Sequence, residues 1–197
     1  MALWPTDADG YEAEHIPEKM AMRTSKQAHV VLDGCRIPEE NLVGVEGAGF
    51  YVLAEFFNRG RVIVGGHGLG LVAAAIRGGL GVRPRPGGLR PVGRRVPGRP
   101  ARPRGDARGL RTGADARLAR RRQGGRRRSP EYWAALAKTA ATEAAVECAE
   151  TGMQLHGGRS VLADRRIPRV YRDARVPVIY EGANAIQRDL IYRQAPQ

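Results

Sequence analysis

Apolar and polar residues follow patterns along the chain that predict a short extended region and then long helices. The run Ala28–Leu32 is apolar and is ended by Asp33-Gly34, which predicts a strand followed by a turn. From residue 47 apolar residues recur every three or four positions, and this spacing predicts a helix over residues 47–76. Its apolar positions include Phe50, Leu53, Ala54 and Phe57.

A second helical pattern begins at Ser129-Pro130-Glu131, a typical helix start, and is predicted to end at Gly152. Alanine dominates its apolar stripe, and such small side chains let two helices pack closely. The predicted stripe consists of Trp133, Leu136, Ala137, Ala140, Ala141, Ala144, Ala145 and Cys148. A last helix is predicted to start within residues 181–184. The predicted fold class is therefore mainly α, with three or four helices of an up-and-down bundle.

The stretch between these helical patterns, residues 77–128, has a very different composition, and we call it the Arg-rich segment. It holds eighteen arginines, no lysine and two aspartates, and it lacks aromatic residues and apolar periodicity. Such a sequence cannot bury enough apolar surface to offset the entropy of ordering, which predicts disorder. We therefore expect a partial β-domain over residues 1–45 and a helical domain over residues 46–197, interrupted at 77–128.

The net charge of the whole chain, +13 with a pI near 10.9, comes from the Arg-rich segment, and the remainder is mildly acidic. A strongly basic chain is typical of nucleic-acid-binding proteins. Here no aromatic residues stand between the arginines to stack on bases, and no known binding module is present. The sequence therefore indicates adventitious rather than specific nucleic-acid binding. A salt titration of binding to single-stranded DNA separates the two.

Few features point to secretion, membranes or metals. The two cysteines, Cys35 and Cys148, have no disulfide or metal-ligand spacing, so a reducing cytoplasm is predicted. The N-terminus is acidic and lacks the apolar core of a signal peptide. The longest apolar run, Val62–Ile76, is too short to span a bilayer, so we expect no membrane segment. His67 and His156 stand alone in the sequence, and we expect core or turn roles and no metal.

Three segments together resemble the C-terminal portion of the acyl-CoA dehydrogenase family: Arg23–Phe50, Met153–Val161 and Arg169–Gln194. Their order and spacing match those of the family. The resemblance implies an FAD enzyme that removes two hydrogens from an acyl-CoA thioester and passes electrons to an electron-transferring flavoprotein. It also implies a homodimer or homotetramer with FAD sites between subunits. Chain length and branching of the acyl group stay open.

The segment Tyr180-Glu181-Gly182 matches the family's catalytic base, and the resemblance makes Glu181 the residue that takes the α-proton. A proton beside a thioester is only weakly acidic, so such a base works from a dry pocket with hydrogen-bond donors near the enolate-like oxygen. In the family one of these donors is the base's own backbone N–H. Tyr180 and Gly182 are expected to contact the substrate. Alternatively, Glu181 is a first-turn acid that complements a helix dipole.

Other family positions are assigned in the same way. Gln154, Gly157 and Gly158 match the turn that approaches FAD of a neighbouring subunit, where glycines let phosphates come close to the backbone. Ala183 stands near the flavin, where relatives usually have threonine. The alternative for the glycines is an ordinary turn between helices.

Two further pairs have expected roles. Asn58 and Arg61 lie at helix positions that approach the acyl and CoA portions of the substrate in relatives, although a solvated polar face is an equal alternative. Arg172-Asp173 matches a pair common in the family, and we interpret it as a structural ion pair before the base.

The sequence also departs from the family. Relatives are much longer, and we expect the N-terminal helical domain and most of the β-domain to be missing here. The Arg-rich segment replaces a helix that carries an Arg-x-x-Phe-Gly type motif in relatives. A double frameshift in a GC-rich gene is our hypothesis for it, and an alternative reading frame should then restore a Phe-Gly-containing helix. This chain by itself is expected to be inactive, and the alternative is a non-catalytic remnant with adventitious nucleic-acid binding through the Arg-rich segment.

A dinucleotide-binding module is a further rival. Val62–Val64 is followed by Gly68-x-Gly70-x-x-Ala73, a variant of the Rossmann fingerprint. The acidic residue expected about twenty positions later is missing. No alternation of strands and helices follows, so this interpretation is the weaker one.

Overall fold

The computed structural model describes residues 1–80 and 128–194. Along this part of the chain a β-hairpin precedes four α-helices. The strands are β1, Tyr11–His15, and β2, Ala28–Leu32. The α-helices are α1, Gly49–Leu80; α2, Pro130–His156; α3, Arg166–Arg175; and α4, Asn184–Arg193. Short 3-10 turns occupy Glu39–Asn41, Gly157–Val161 and Val176–Val178. The mainly α fold class is confirmed.

The hairpin pairs β1 and β2 antiparallel, with Tyr11 opposite Leu32 and His15 opposite Ala28. The predicted strand Ala28–Leu32 is confirmed with the same bounds. Sequence analysis missed β1, because its residues YEAEH are mostly polar and show no apolar run. Val30 and Val31 are 51% and 55% exposed, although they point to opposite faces. The described residues therefore cover neither face of the hairpin.

The predicted helix over residues 47–76 is confirmed in α1, which extends four residues into the Arg-rich segment. All residues of the Rossmann-like pattern, Val62–Ala73, lie inside this one helix. A dinucleotide fingerprint needs a strand, a turn and a helix start in that stretch. The dinucleotide-binding alternative is therefore wrong. The other residues of the Arg-rich segment, apart from Arg128, lie outside the described part of the chain. The disorder predicted for this segment therefore stays a prediction.

Helix α2 begins with a capped first turn. The Ser129 hydroxyl accepts the backbone N–H of Tyr132 at 3.2 Å, and Pro130 occupies the first position, where its missing N–H costs nothing. The helix continues one turn past the predicted end at Gly152 and stops at Gly157, whose φ is +57°. Glycine adopts this conformation without the strain of a side chain.

The buried face of α2 is broader than the predicted stripe, and it is rotated. Trp133, Leu136, Ala137 and Ala140 are only partly buried. The fully buried positions are Ala134, Ala135, Lys138, Thr139, Ala141, Thr142, Ala144, Ala145, Cys148, Ala149 and Gly152. Because α1, α3 and α4 all pack on α2, no single stripe describes its contacts. Polar residues therefore lie inside the bundle.

Helices α1 and α2 run in the same direction. A methyl group built on Gly65 would lie 3.5 Å from the Ala137 carbonyl oxygen, and one built on Gly152 would lie 3.8 Å from the Ala75 carbonyl oxygen. Residue numbers therefore increase together along the interface. An up-and-down order makes consecutive helices antiparallel. Residues 81–127, which separate α1 from α2, lie outside the described part of the chain, so this order stays a prediction.

The hydrophobic core lies where α1, α2 and α3 meet. Its buried members are Leu71, Val72, Ala75, Ala144, Ala145, Cys148, Ala149, Ile167, Val170 and Ala174. No helix was predicted over the α3 region, because five of its ten residues are Arg or Asp. Within the described part of the chain, no helix is long and apolar enough to cross a membrane.

Asp173 on α3 connects the bundle to the N-terminal region. Its Oδ1 accepts the backbone N–H of Met22 at 2.7 Å. Met22 has a φ of +47°, which is unusual for a residue other than glycine, and this bond helps to hold it there. In the described ranges Arg172 and Asp173 form no ion pair, so the predicted ion pair is wrong. Asp173 nonetheless acts as a structural link.

Candidate functional site

The candidate site is centred on the turn Tyr180–Ala183, between the 3-10 turn at Val176–Val178 and the start of α4. Glu181 has a φ of +53° and Gly182 a φ of +86°, so two successive residues are left-handed. For a residue with a side chain this conformation costs about 1–2 kcal/mol. Such a cost persists only where surrounding contacts hold the residue in place.

The carboxylate of Glu181 lies against α1 at Gly60. A methyl group built on Gly60 would overlap this carboxylate, with its Cδ atom only 3.0 Å away, so the absence of a side chain there makes the space. The Oε2 atom is buried and has no hydrogen-bond partner among the described residues. Those residues also offer no acceptor for the Glu181 backbone N–H. One lone-pair site and one donor are therefore left for a ligand.

A polar network on α1 lies beside this carboxylate. Arg61 Nη1 donates to Asn58 Oδ1 at 2.7 Å, and Asn58 Nδ2 donates to Glu131 Oε1 at 3.3 Å. Burial lowers the pKa of the Arg61 guanidinium, while the carboxylates of Glu131 and Glu181 act to raise it. Arg61 Nε is buried without a partner in the described ranges. The structure thus brings Asn58 and Arg61 to Glu181, and their roles toward substrate stay predictions.

Tyr180 is held from α1 by a histidine. Its hydroxyl lies 3.3 Å from Nδ1 of His67. Burial raises the pKa of Tyr180, and the nearby Glu181 carboxylate raises it further, so the phenol keeps its proton at neutral pH. His67 stands alone in the sequence, but in the fold it contacts Tyr180, the residue before the candidate base.

Three buried polar residues lie behind the turn, and the sequence patterns predicted none of them. They are Lys138, Asn184 and Gln187. Lys138 of α2 is fully buried and donates to the carbonyl oxygen of Gly182 at 2.8 Å and to Asn184 Oδ1 at 2.7 Å. Gln187 is also fully buried, and its amide group has no partner within the described ranges. A single lysine within an alanine-rich apolar pattern was the available signal, and the predicted stripe excluded it.

Gln154, Gly157 and Gly158 lie far from Glu181 in the same chain. Gln154 follows Lys138 by sixteen residues of α2, which is about 24 Å along a helix. All three are exposed, and methyl groups built on the two glycines would meet nothing within 4 Å. The turn is therefore open to a large ligand or a second chain. Its role in cofactor binding stays a prediction.

Ala183 precedes α4 and lines a surface groove of about 510 Å³ between α2 and α4. Val178, Asn184 and Ala185 also line this groove. Ala183 therefore belongs both to the Glu181 turn and to the lining of this groove. The predicted place of Ala183 near the flavin stays a prediction.

Comparisons with known proteins agree on one family. The model of the acyl-CoA dehydrogenase C-terminal domain matches residues 47–195. Cyclohexane-1-carbonyl-CoA dehydrogenase from Geobacter metallireducens is 31% identical over 194 residues, which cover 95% of this chain and 50% of that protein. The chain spans about half the length of the curated relatives it matches.

Solved structures show the same fold. An acyl-CoA dehydrogenase from Geobacillus kaustophilus superimposes with a TM-score of 0.83 at 26% identity, over 98% of this chain and 51% of that one. An acyl-CoA dehydrogenase from Bacillus anthracis, complexed with FAD, has a TM-score of 0.74 at 21% identity, over 96% and 36% of the two chains.

Proposed function

The chain belongs to the acyl-CoA dehydrogenase family, and from that premise we propose that it is the base-bearing part of an FAD-dependent dehydrogenase. The reaction is removal of an α-proton and a β-hydrogen from an acyl-CoA thioester. The acyl chain and the electron acceptor are part of the proposal. We expect a fatty-acyl thioester and an electron-transferring flavoprotein, as the family resemblance implies. The cytoplasmic location likewise remains a proposal based on cysteine usage.

The buried, unpartnered Oε2 of Glu181 is the observation that carries this proposal. A carboxylate oxygen held away from water and from protein donors keeps a lone pair free for the α-proton of a bound thioester. The Glu181 backbone N–H, which has no acceptor among the described residues, is free to donate to the thioester oxygen as charge develops on it. A base and an oxyanion donor thus come from the same residue.

Neighbouring groups suit an anionic, partly apolar substrate. Arg61 presents a partly buried cation beside the carboxylate, and its buried, unpartnered Nε can donate to a substrate oxygen. His67 contacts the Tyr180 hydroxyl, and this contact holds the Tyr180 ring next to Glu181. Asn58 orients Arg61 through their 2.7 Å bond. These contacts support substrate-binding roles for Asn58, Arg61 and Tyr180.

FAD fits the open turn at the end of α2. Gln154, Gly157 and Gly158 are exposed, and the space above both glycines is free, so a diphosphate could approach the backbone closely. Because this turn lies about 24 Å along α2 from Lys138, we propose that it serves the site of a second copy in a homo-oligomer. When bound, FAD would supply the hydride acceptor. Ala183 would lie near the flavin.

Turnover of the purified chain tests the proposal. FAD is added and the visible absorbance of the desalted protein is measured, followed by reduction of an artificial electron acceptor with short-chain acyl-CoA. Glu181→Gln should keep FAD and acyl-CoA binding but lower turnover by about 10²–10⁴-fold, because the amide cannot accept the proton. Glu55→Gln is the matched control, since Glu55 is an exposed acid paired with Arg59 on α1.

The outcomes separate the alternatives. Equal turnover in Glu181→Gln and the unchanged chain would place the base elsewhere, and loss in Glu55→Gln would assign it to Glu55. A colourless protein that binds no acyl-CoA would support the non-catalytic remnant and overturn the enzyme proposal.

A further inference from the structure

Lys138 is a lysine in an unusual place. The other two lysines of the chain, Lys19 and Lys26, lie in the N-terminal region, whereas Lys138 is fully buried in the middle of α2. A buried ammonium is expensive unless its hydrogen bonds are satisfied. It donates to the Gly182 carbonyl oxygen at 2.8 Å and to Asn184 Oδ1 at 2.7 Å. Both acceptors belong to the segment that directly follows the candidate base.

The bond to Gly182 acts on a strained turn. Glu181 and Gly182 are both left-handed, and for Glu181 this conformation is unfavourable by itself. Because a peptide group is planar, fixing the Gly182 carbonyl oxygen fixes the plane that joins Gly182 to Ala183. A buried ammonium forms a stronger hydrogen bond than a neutral donor. The lysine can therefore hold the turn that directs the Glu181 carboxylate toward Gly60.

The bond to Asn184 anchors the other side of Ala183. Asn184 Nδ2 donates to Thr142 Oγ1 at 3.0 Å and to Glu143 Oε1 at 3.1 Å. Thr142 Oγ1 in turn donates to the Lys138 carbonyl oxygen at 2.9 Å. Lys138, Thr142 and Glu143 all belong to α2. The first residue of α4 is thus bonded to one rigid helix at three points.

We propose that Lys138 is a positioning residue, which holds the Gly182–Asn184 segment on α2 and thereby directs the carboxylate of Glu181. The base role of Glu181 is taken from the proposed function. The contacts that support the positioning role do not depend on it.

The charged groups around Lys138 come from three elements. Burial, together with the nearby guanidinium of Arg61 on α1, lowers the pKa of Lys138 to about 8. Glu143 on α2 and Glu181 in the turn act in the opposite direction. Deprotonation above pH 8 would replace a charge-assisted bond to Gly182 with a weaker one. The turn should therefore respond to pH near 8.

The first experiment needs no catalytic activity. Amide resonances of Glu181, Gly182 and Asn184 are followed by ¹H–¹⁵N NMR from pH 6.5 to 9.5 in the full chain. In the unchanged chain they should shift with a midpoint near 8, and in Lys138→Met they should start at new positions and not titrate. Lys26→Met, at an exposed lysine, should behave like the unchanged chain. Lys138→Gln, which keeps an uncharged N–H donor group, carries the test if Lys138→Met does not fold.

Resonances of Lys138→Met or Lys138→Gln that coincide with those of the unchanged chain would show that Lys138 does not set the turn. The second experiment measures turnover with FAD and acyl-CoA. Lys138→Met should lower kcat by about 10–100-fold with KM changed less than about threefold, because misplacing a base costs rate more than binding. An equal loss in Lys26→Met would overturn the assignment. If the unchanged chain shows no turnover, the proposed function fails, and NMR alone decides the role of Lys138.

Discussion

Gly68 of α1 offers a direct test of how closely the two long helices pack. A methyl group built on Gly68 would lie 2.9 Å from both the carbonyl carbon and the carbonyl oxygen of Ala141. These are backbone atoms of α2, which cannot rotate away as a side chain can. Gly68→Ala therefore requires the two helices to separate locally, and the loss of contact extends along the interface.

Two opposing terms set the magnitude. Alanine is favoured over glycine in a helix interior by about 0.8–1.0 kcal/mol. Overpacking of a close interface costs about 1–3 kcal/mol. Gly68→Ala should therefore lower the free energy of unfolding by up to about 2 kcal/mol. Gly66 and Gly70 lie on the same helix, where an added methyl meets nothing within 4 Å, so alanine there should raise it by about 0.5–1 kcal/mol.

Urea unfolding followed by circular dichroism at 222 nm measures all three variants and the unchanged chain. Gly65→Ala adds an intermediate case, because its methyl would make ordinary contacts at 3.5 Å with α2. The expected order of stability places Gly66→Ala and Gly70→Ala above Gly65→Ala, and Gly68→Ala last. Stabilisation by Gly68→Ala equal to that of Gly66→Ala would contradict the packing described for α1 and α2.

Three further predictions concern stability. At position 181 glycine should be more stable than alanine, the reverse of the order expected at Gly66 and Gly70. Glu181→Gly should exceed Glu181→Ala by about 1 kcal/mol in urea unfolding, because the residue has a φ of +53°. Lys138 has a pKa near 8 when folded and an ordinary value of 10.5, so the unfolded chain holds more protons between these values. The stability of the unchanged chain relative to Lys138→Met should therefore rise by up to about 3 kcal/mol from pH 8 to 10.5, and a flat difference would argue against the buried charge. Ser129→Ala should cost about 1 kcal/mol by removing the cap of α2, and Ser129→Thr should restore most of it in thermal unfolding.

Local patterns in the sequence determined much of the fold. Apolar residues spaced three or four apart identified α1, and a serine–proline start identified α2, because both signals arise within a few neighbouring residues. The strand β2 was recognisable in the same way. Glu181 was located by its resemblance to a family motif rather than by its own chemistry. The α3 helix was missed, since its arginines hide the short apolar face of Ile167 and Val170.

Only the tertiary structure decided which residues surround Glu181. Gly60 and Lys138 lie on different helices, 121 and 43 residues before Glu181, and they meet it because α1 and α2 pack side by side. A single lysine in an alanine-rich pattern is an unusual residue, but the local spacing does not determine whether it is buried. Lys138 is buried because α1 and α4 cover the same side of α2. Contacts of this kind depend on how helices pack in three dimensions, and the spacing of residues within one helix does not contain that information.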